Sequence, residues 1–144
     1  MAKDALFSLE IDVTAFEKYQ EVLERAGNEF KNFERNYITA LANEILKKAI
    51  PLTPVDTGRL RRSYKVSKIE EKGEDLEITV YNDARDNGAS ESYASYVELG
   101  HYTRNRIRWV EGRFMLTIST DEVRNEMERI FNMMFTKWAK EMGL

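Results

Sequence analysis

The sequence predicts an α+β domain in which a small antiparallel β-sheet packs against a long N-terminal helix and a C-terminal helix. Three observations carry this. Large apolar residues recur at three- and four-residue steps through two long stretches, which marks one face of a helix. Between them, Leu76, Ile78 and Val80 alternate with Glu77, Thr79 and Tyr81, the pattern of a strand with one buried face. A turn-rich corner, Thr53–Tyr64, follows the first helical stretch and precedes the strands.

In chain order, Leu6–Ile11 is a short strand candidate, with Phe7, Leu9 and Ile11 alternating. Thr14 followed by Glu17 has capping-box spacing and predicts a helix start. A seam then runs through Phe16, Tyr19, Leu23, Ala26, Phe30, Phe33 and Tyr37, and continues at Ile38, Leu41, Ala42, Ile45, Leu46 and Ala49. This predicts one long helix, or two in near continuation around Gly27-Asn28, from about Thr14 to Ile50. The stripe is expected to pack on the protein's own sheet; a neighbouring subunit is the alternative for part of it.

Pro51 lacks an amide donor and should end that helix. In the corner itself, Pro54 restricts the chain, Asp56 can accept backbone N–H bonds, and Gly58 can take positive φ. Leu60–Ile69 and Leu76–Asn82 read as two strands joined by Lys72-Gly73-Glu74. Asp83–Ser92 reads as a loop, Tyr93–Leu99 as a helical turn closed by Gly100, and His101–Arg108 as a second loop. Arg113–Ser119 reads as a strand or extended lead, with a second capping box at Ser119 and Glu122. Val123, Met127, Ile130, Phe131, Met134, Phe135, Trp138 and Met142 mark the C-terminal helix.

At 144 residues a single domain, 1–144, is expected. A net charge of −3 weighs against a dedicated nucleic-acid binder, which is usually basic. With no cysteine there is no disulfide, thiolate metal site or cysteine nucleophile. Met1–Phe7 lacks a charged-then-apolar leader pattern, and no run reaches the roughly 18 apolar residues of a membrane helix. Neither a secretory leader nor a membrane association is therefore expected.

The residues for catalysis are sparse. The single histidine, His101, falls in a predicted loop, and no metalloprotease, nucleophile-elbow or phosphate-loop motif occurs. Glu70, Glu71, Glu74 and Asp75 read as a solvated turn rather than a metal site, and Asp83, Asp86 and Asn87 match only a fragment of a calcium loop. No catalytic, cofactor or metal residue is expected. Two basic clusters stand out: Arg59, Arg61, Arg62, Lys65 and Lys68 after the corner, and Arg104, Arg106, Arg108 and Arg113 in and beyond the second loop. Arginine at this density suits carboxylate or phosphate partners. The second cluster has three readings: a solvated loop, docking on an acidic neighbouring subunit, or contact with DNA phosphates. Tyr93, Tyr96, Tyr102 and Trp109 beside it suit a protein interface.

Three segments together resemble a family of small structural proteins of long-tailed bacteriophages and prophages, the neck proteins called tail-completion, tail-component or head–tail joining proteins. They are Ala49 through Pro51 and Thr53-Pro-Val-Asp-Thr-Gly-Arg-Leu-Arg-Arg-Ser, Tyr93-Ala-Ser-Tyr-Val-Glu-Leu-Gly, and Gly112-Arg-Phe-Met-Leu. The resemblance covers roughly Ile38 to Thr120. It departs at Leu99 and His101, where many members carry Phe and Thr, and it lacks a proline near Phe114. It implies a non-enzymatic virion part, made in the bacterial cytoplasm, that forms a ring, commonly sixfold, between the head connector and the tail tube. Its implied partners are copies of itself, a head-completion or connector protein, and a tail-terminator or tail-tube protein. DNA would pass through the lumen without sequence-specific binding, which an acidic net charge suits.

On this resemblance Pro51, Pro54, Asp56, Thr57 and Gly58 form a structural corner. Subunit or partner contacts fall to Arg59, Arg62, Tyr93, Tyr96, Glu98, Tyr102, Arg104, Arg106, Arg108 and Trp109. Two other classes remain: a nucleic-acid-binding or regulatory protein that uses both arginine clusters as a phosphate clamp, and a stand-alone oligomeric cytosolic adaptor. The first predicts DNA affinity that falls steeply with salt. The second predicts an oligomer that forms without any partner.

Overall fold

The computed structural model describes residues 7–11, 27, 29–55, 58–84, 93–103 and 105–143. The elements are β1 (Phe7–Ile11), α1 (Glu29–Leu52), α2 (Arg59–Arg62), β2 (Tyr64–Val66), β3 (Glu70–Lys72), β4 (Asp75–Asn82), α3 (Tyr93–Leu99), β5 (Gly100–Tyr102), β6 (Trp109–Glu111) and α4 (Met115–Glu141). The capping box at Thr14 and the seam from Phe16 to Ala26 lie outside the described residues. Gly27 takes φ +58, and α1 starts at Glu29.

The architecture is α+β: a small antiparallel sheet with a long N-terminal-side helix and a C-terminal helix. β4 is the central strand, paired with β1 on one side and with β2 and β3 on the other. β1 pairs from Phe7↔Val80 to Ile11↔Leu76. β2 and β3 share one edge of β4, but their registers differ by one residue, from Val66↔Val80 to Glu70↔Glu77. The extra residue makes a bulge at 67–69. Ser67 fills it: its N–H donates to Thr79 O (2.8 Å), and its hydroxyl accepts from Thr79 N–H (2.9 Å). Gly73 opens the two-residue β3–β4 turn with φ +64, where a side chain would be strained.

The helical seam is realised on α1, where Phe33, Tyr37, Ile38, Leu41, Ala42, Ile45 and Ala49 are buried. Against them pack Leu76, Ile78 and Val80 of β4 and Leu116, Val123, Ile130 and Phe131 of α4. Each fully buried Leu or Ile contributes about 1.5–3 kcal/mol. Phe33 stands at the aromatic centre, with ring centroids 5.7 Å from Phe131, 5.9 Å from Phe135 and 5.4 Å from Trp138. Tyr37 adds a polar anchor, its hydroxyl donating to Met127 O of α4 (3.0 Å). Burial pushes that phenol's pKa up to about 12.

Several expectations need correction. Pro51 sits inside the last turn of α1, which closes one residue later at Leu52. The carbonyls near that end find other donors: Ile50 O from Thr53 N–H (3.1 Å) and Ala49 O from the Thr53 hydroxyl (2.7 Å). The strand expected over Leu60–Ile69 is one helical turn followed by two short strands, because Gly58 at φ +76 starts a turn and the bulge divides the rest. The second face of β4 is not simply wet: Thr79 is buried, and Glu77 and Tyr81 are half-buried. The loop expected at His101–Arg108 opens on the last two residues of β5 and leads into β6, and the two strands form an antiparallel hairpin. The strand or lead expected at Arg113–Ser119 is mostly helix, since α4 begins at Met115, before the Ser119–Glu122 box.

Candidate assembly interface

Two regions carry the expected site residues, the corner and the β5–β6 hairpin. Gly58 holds the positive φ expected of it. Arg61, read as part of a basic cluster, folds back instead. Its Nε donates to Thr53 O (2.9 Å) and its terminal nitrogen lies 3.5 Å from Pro51 O, so it caps the end of α1. Thr53 is 1% exposed, and its hydroxyl lies 2.8 Å from the Tyr64 hydroxyl. The Tyr64 hydroxyl is also 3.7 Å from the Met115 sulfur. Buried Asn82 closes the other side, donating to Leu60 O (2.7 Å) and accepting from Ala84 N–H (3.0 Å). The corner therefore joins α1, α2, the end of β4 and the start of α4. Pro51 and Pro54 flank Thr53, whereas Asp56 and Thr57 lie outside the described residues. Arg59 and Arg62 are exposed beside it.

Glu98, expected at an interface, is 2% exposed and turned inward. Its carboxylate accepts Leu116 N–H (3.0 Å), Thr117 N–H (2.9 Å) and the Thr117 hydroxyl (2.9 Å). It caps α4 from a distance, where the favourable N-terminal dipole also acts. The residue at the local cap position, Phe114, has φ +48 and makes no side-chain cap bond.

The hairpin begins and ends on glycines in direct contact. A Cβ on Gly112 would come 2.4 Å from Glu98 O and 2.9 Å from Gly100 N. One on Gly100 would come 2.6 Å from the Trp109 ring and 2.7 Å from Val110 O. Only bare backbone fits at this crossing. Beyond it, Arg113 N–H and Phe114 N–H donate to Val97 O and Glu98 O of α3, at 2.8 and 3.0 Å.

The tip is bonded across its base. Thr103 N–H donates to Arg108 O (2.8 Å), and Arg106 N–H donates to Thr103 O (2.7 Å) with Arg106 at φ +57. Arg108 N–H donates to the Thr103 hydroxyl (3.2 Å), which donates to Asn105 Oδ1 (2.7 Å). Arg106, Arg108, Tyr102, Trp109 and the unforeseen Ile107 are all exposed. The Tyr102 and Trp109 rings meet edge-on at 5.0 Å, and Tyr93 and Tyr96 are exposed on neighbouring α3. Arg104 lies outside the described residues. His101 Nδ1 is 3.3 Å from Tyr96 O, so its ring is engaged by α3.

At the other end of α1, a cavity of about 320 Å³ is lined by Phe30, Glu34, Arg35, Glu71, Glu74 and neighbouring residues. Arg35 and Glu71 form an ion pair beside it. Burial holds the Glu34 carboxyl above its usual range, with Lys31 acting in the opposite sense. Among the described residues, no group of three His, Cys, Asp or Glu side chains is placed to hold a metal ion. None of the described helices is long and apolar enough to cross a membrane.

Sequence reasoning missed Thr53, Arg61, Asn82 and Gly112 as structural residues. Their roles rest on contacts across turns and between elements, from Arg61 Nε on Thr53 O, 8 residues back, to Asn82 Nδ2 on Leu60 O, 22 residues back. Compared with protein families, residues 15–100, more than half of the chain, match a family model described as "Bacteriophage HK97-gp10, putative tail-component". Comparison with curated proteins and with solved structures gave no match.

Proposed function

From the chain's membership of the HK97-gp10-like family of bacteriophage tail components, we propose that it is a structural virion protein that forms a ring at the neck of the particle. It joins the head connector to the tail and leaves a lumen through which DNA passes. The role is mechanical, and the chain works as copies of itself seated on a head-completion or connector protein and a tail-terminator or tail-tube protein. The acidic net charge of −3 suits a lumen along which DNA slides without adhering.

The observation that carries this reading is the β5–β6 hairpin. It presents Tyr102, Ile107, Trp109 and Arg106 to solvent, at the end of a core organised around α1 and α4. Exposed aromatic and arginine residues together are the composition of a protein interface. A phosphate clamp built from both arginine clusters is disfavoured, because Arg61 is bonded to backbone carbonyls of the corner.

The test changes Arg104, Arg106 and Arg108 together to Ala. The proposal expects a melting temperature close to that of the unaltered protein and particles whose heads and tails fail to join. Normal particles from this variant would contradict it.

A further inference from the structure

We infer that the β5–β6 tip of one copy docks head to tail on the β3–β4 turn of the next. The inference rests on the reading of the chain as a virion component and adds which surfaces meet. Four observations support it.

The first is that β5 and β6 form a two-stranded sheet of their own. A pair of strands alone is marginal in water; here α3 covers the base, through Arg113, Phe114 and His101, whereas the outer residues stay bare. Tyr102, Ile107 and Trp109 are 62%, 81% and 44% exposed, a large apolar display for a free surface.

The second is charge. Arg106 and Arg108 make no ion pair with any described residue, and neither do Glu70, Glu74 and Asp75 at the β3–β4 turn. Glu70 and Glu74 are exposed and Asp75 is half-buried. Guanidinium groups and carboxylates are matched in geometry as well as sign.

The third is placement. The acidic turn lies beside Arg35, near the start of α1, through the Arg35–Glu71 pair. The hairpin is tied through Glu98 and Met115 to Tyr64 and Thr53, at the end of α1. About 25 Å of helix axis separates these ends. One chain's tip therefore cannot meet its own turn, but successive copies can, and a heterologous contact repeated by rotation closes a ring.

The fourth is exclusion. Tip against tip would set arginine against arginine, and turn against turn would set carboxylate against carboxylate, which disfavours the isologous dimer. In the head-to-tail contact Ile107 and Trp109 supply the buried apolar area, and the charges set the register.

The chain contains no cysteine, so engineered thiols report cleanly. Ile107→Cys and Glu74→Cys are introduced together and singly, and purified particles are oxidised. The double variant is expected to give a ladder of covalent multimers, and each single variant only monomer. A ladder of dimers from Ile107→Cys alone, or no ladder from the double variant in particles that contain the protein, overturns the inference.

Charge reversal supplies an independent arm. Arg106→Glu with Arg108→Glu, or Glu70→Lys with Glu74→Lys, should each lower particle yield by about tenfold or more, and combining all four should restore it. Failure of the combination to rescue, as expected if the arginines grip nucleic acid or a different protein, overturns the inference. Unchanged melting curves establish that each variant folds. If the unaltered chain is absent from particles, the proposed function fails instead, and the cysteine ladder of the concentrated purified protein then decides the contact.

Discussion

Gly112 and Glu98 do the most at the scale of single residues. Gly112 has no room for a side chain, because a Cβ would press on Glu98 O, Leu99 C and Gly100 N, all backbone. Backbone cannot swing aside as a side-chain tip can. Gly112→Ala is therefore expected to cost about 1–3 kcal/mol and to open the hairpin base. Thermal unfolding reads the first effect, and hydrogen exchange at Arg113 and Phe114 reads the second. Glu98 satisfies two backbone donors of the first turn of α4. Glu98→Ala leaves the buried Leu116 N–H and the part-buried Thr117 N–H without their acceptor, an expected loss of about 1–3 kcal/mol in denaturant unfolding. A neutral result would mean that another group caps the helix.

Gly58 and Glu98 show what was legible in the sequence. Gly58 could be read locally, because a glycine between a proline-bearing corner and a basic run has few other uses, and its φ of +76 agrees. Glu98 could not. Its partners lie 18 and 19 residues away, and only the folded chain brings them together. The start of α4 was misplaced for the same reason: Ser119 and Glu122 imitate a local cap, whereas the true cap comes from α3.

At the scale of elements, both long helices were legible from their apolar stripes, but their packing on each other was not: the α1 stripe was expected to meet the sheet or a neighbouring subunit, and it meets both β4 and α4. The hairpin was not. All three residues of β6 are exposed, so no alternation of apolar and polar positions marks it as a strand. The bulge in the β2–β3 edge was hidden too, since a one-residue slip leaves no mark on composition.

Tyr37 couples the helix pair to pH. Burial raises its phenol above the ordinary value of 10.0 to about 12. The folded state thus holds this proton more tightly than the unfolded state does. Between those two values the unfolded chain ionises first, so stability is constant below the window and falls as pH rises through it. Tyr37→Phe should flatten that alkaline decline, while costing about 0.5–1.5 kcal/mol at neutral pH through the lost bond to Met127 O. Denaturant melts at several pH values check both signs. An equally steep decline in the variant would place the titrating group elsewhere; Tyr64, whose phenol burial also raises, is the next candidate.

At the scale of the molecule, the two ends of α1 are chemically unlike. One end carries the acidic β3–β4 turn and the other an apolar, arginine-bearing hairpin. A subunit with unlike ends is suited to meeting copies of itself in one direction.

Electron microscopy of particles from the native source, with this chain labelled, tests its place at the neck. Label is expected in a ring at the neck, between head and tail. Absence of the label from every particle, with the protein free in the cytoplasm, would contradict it.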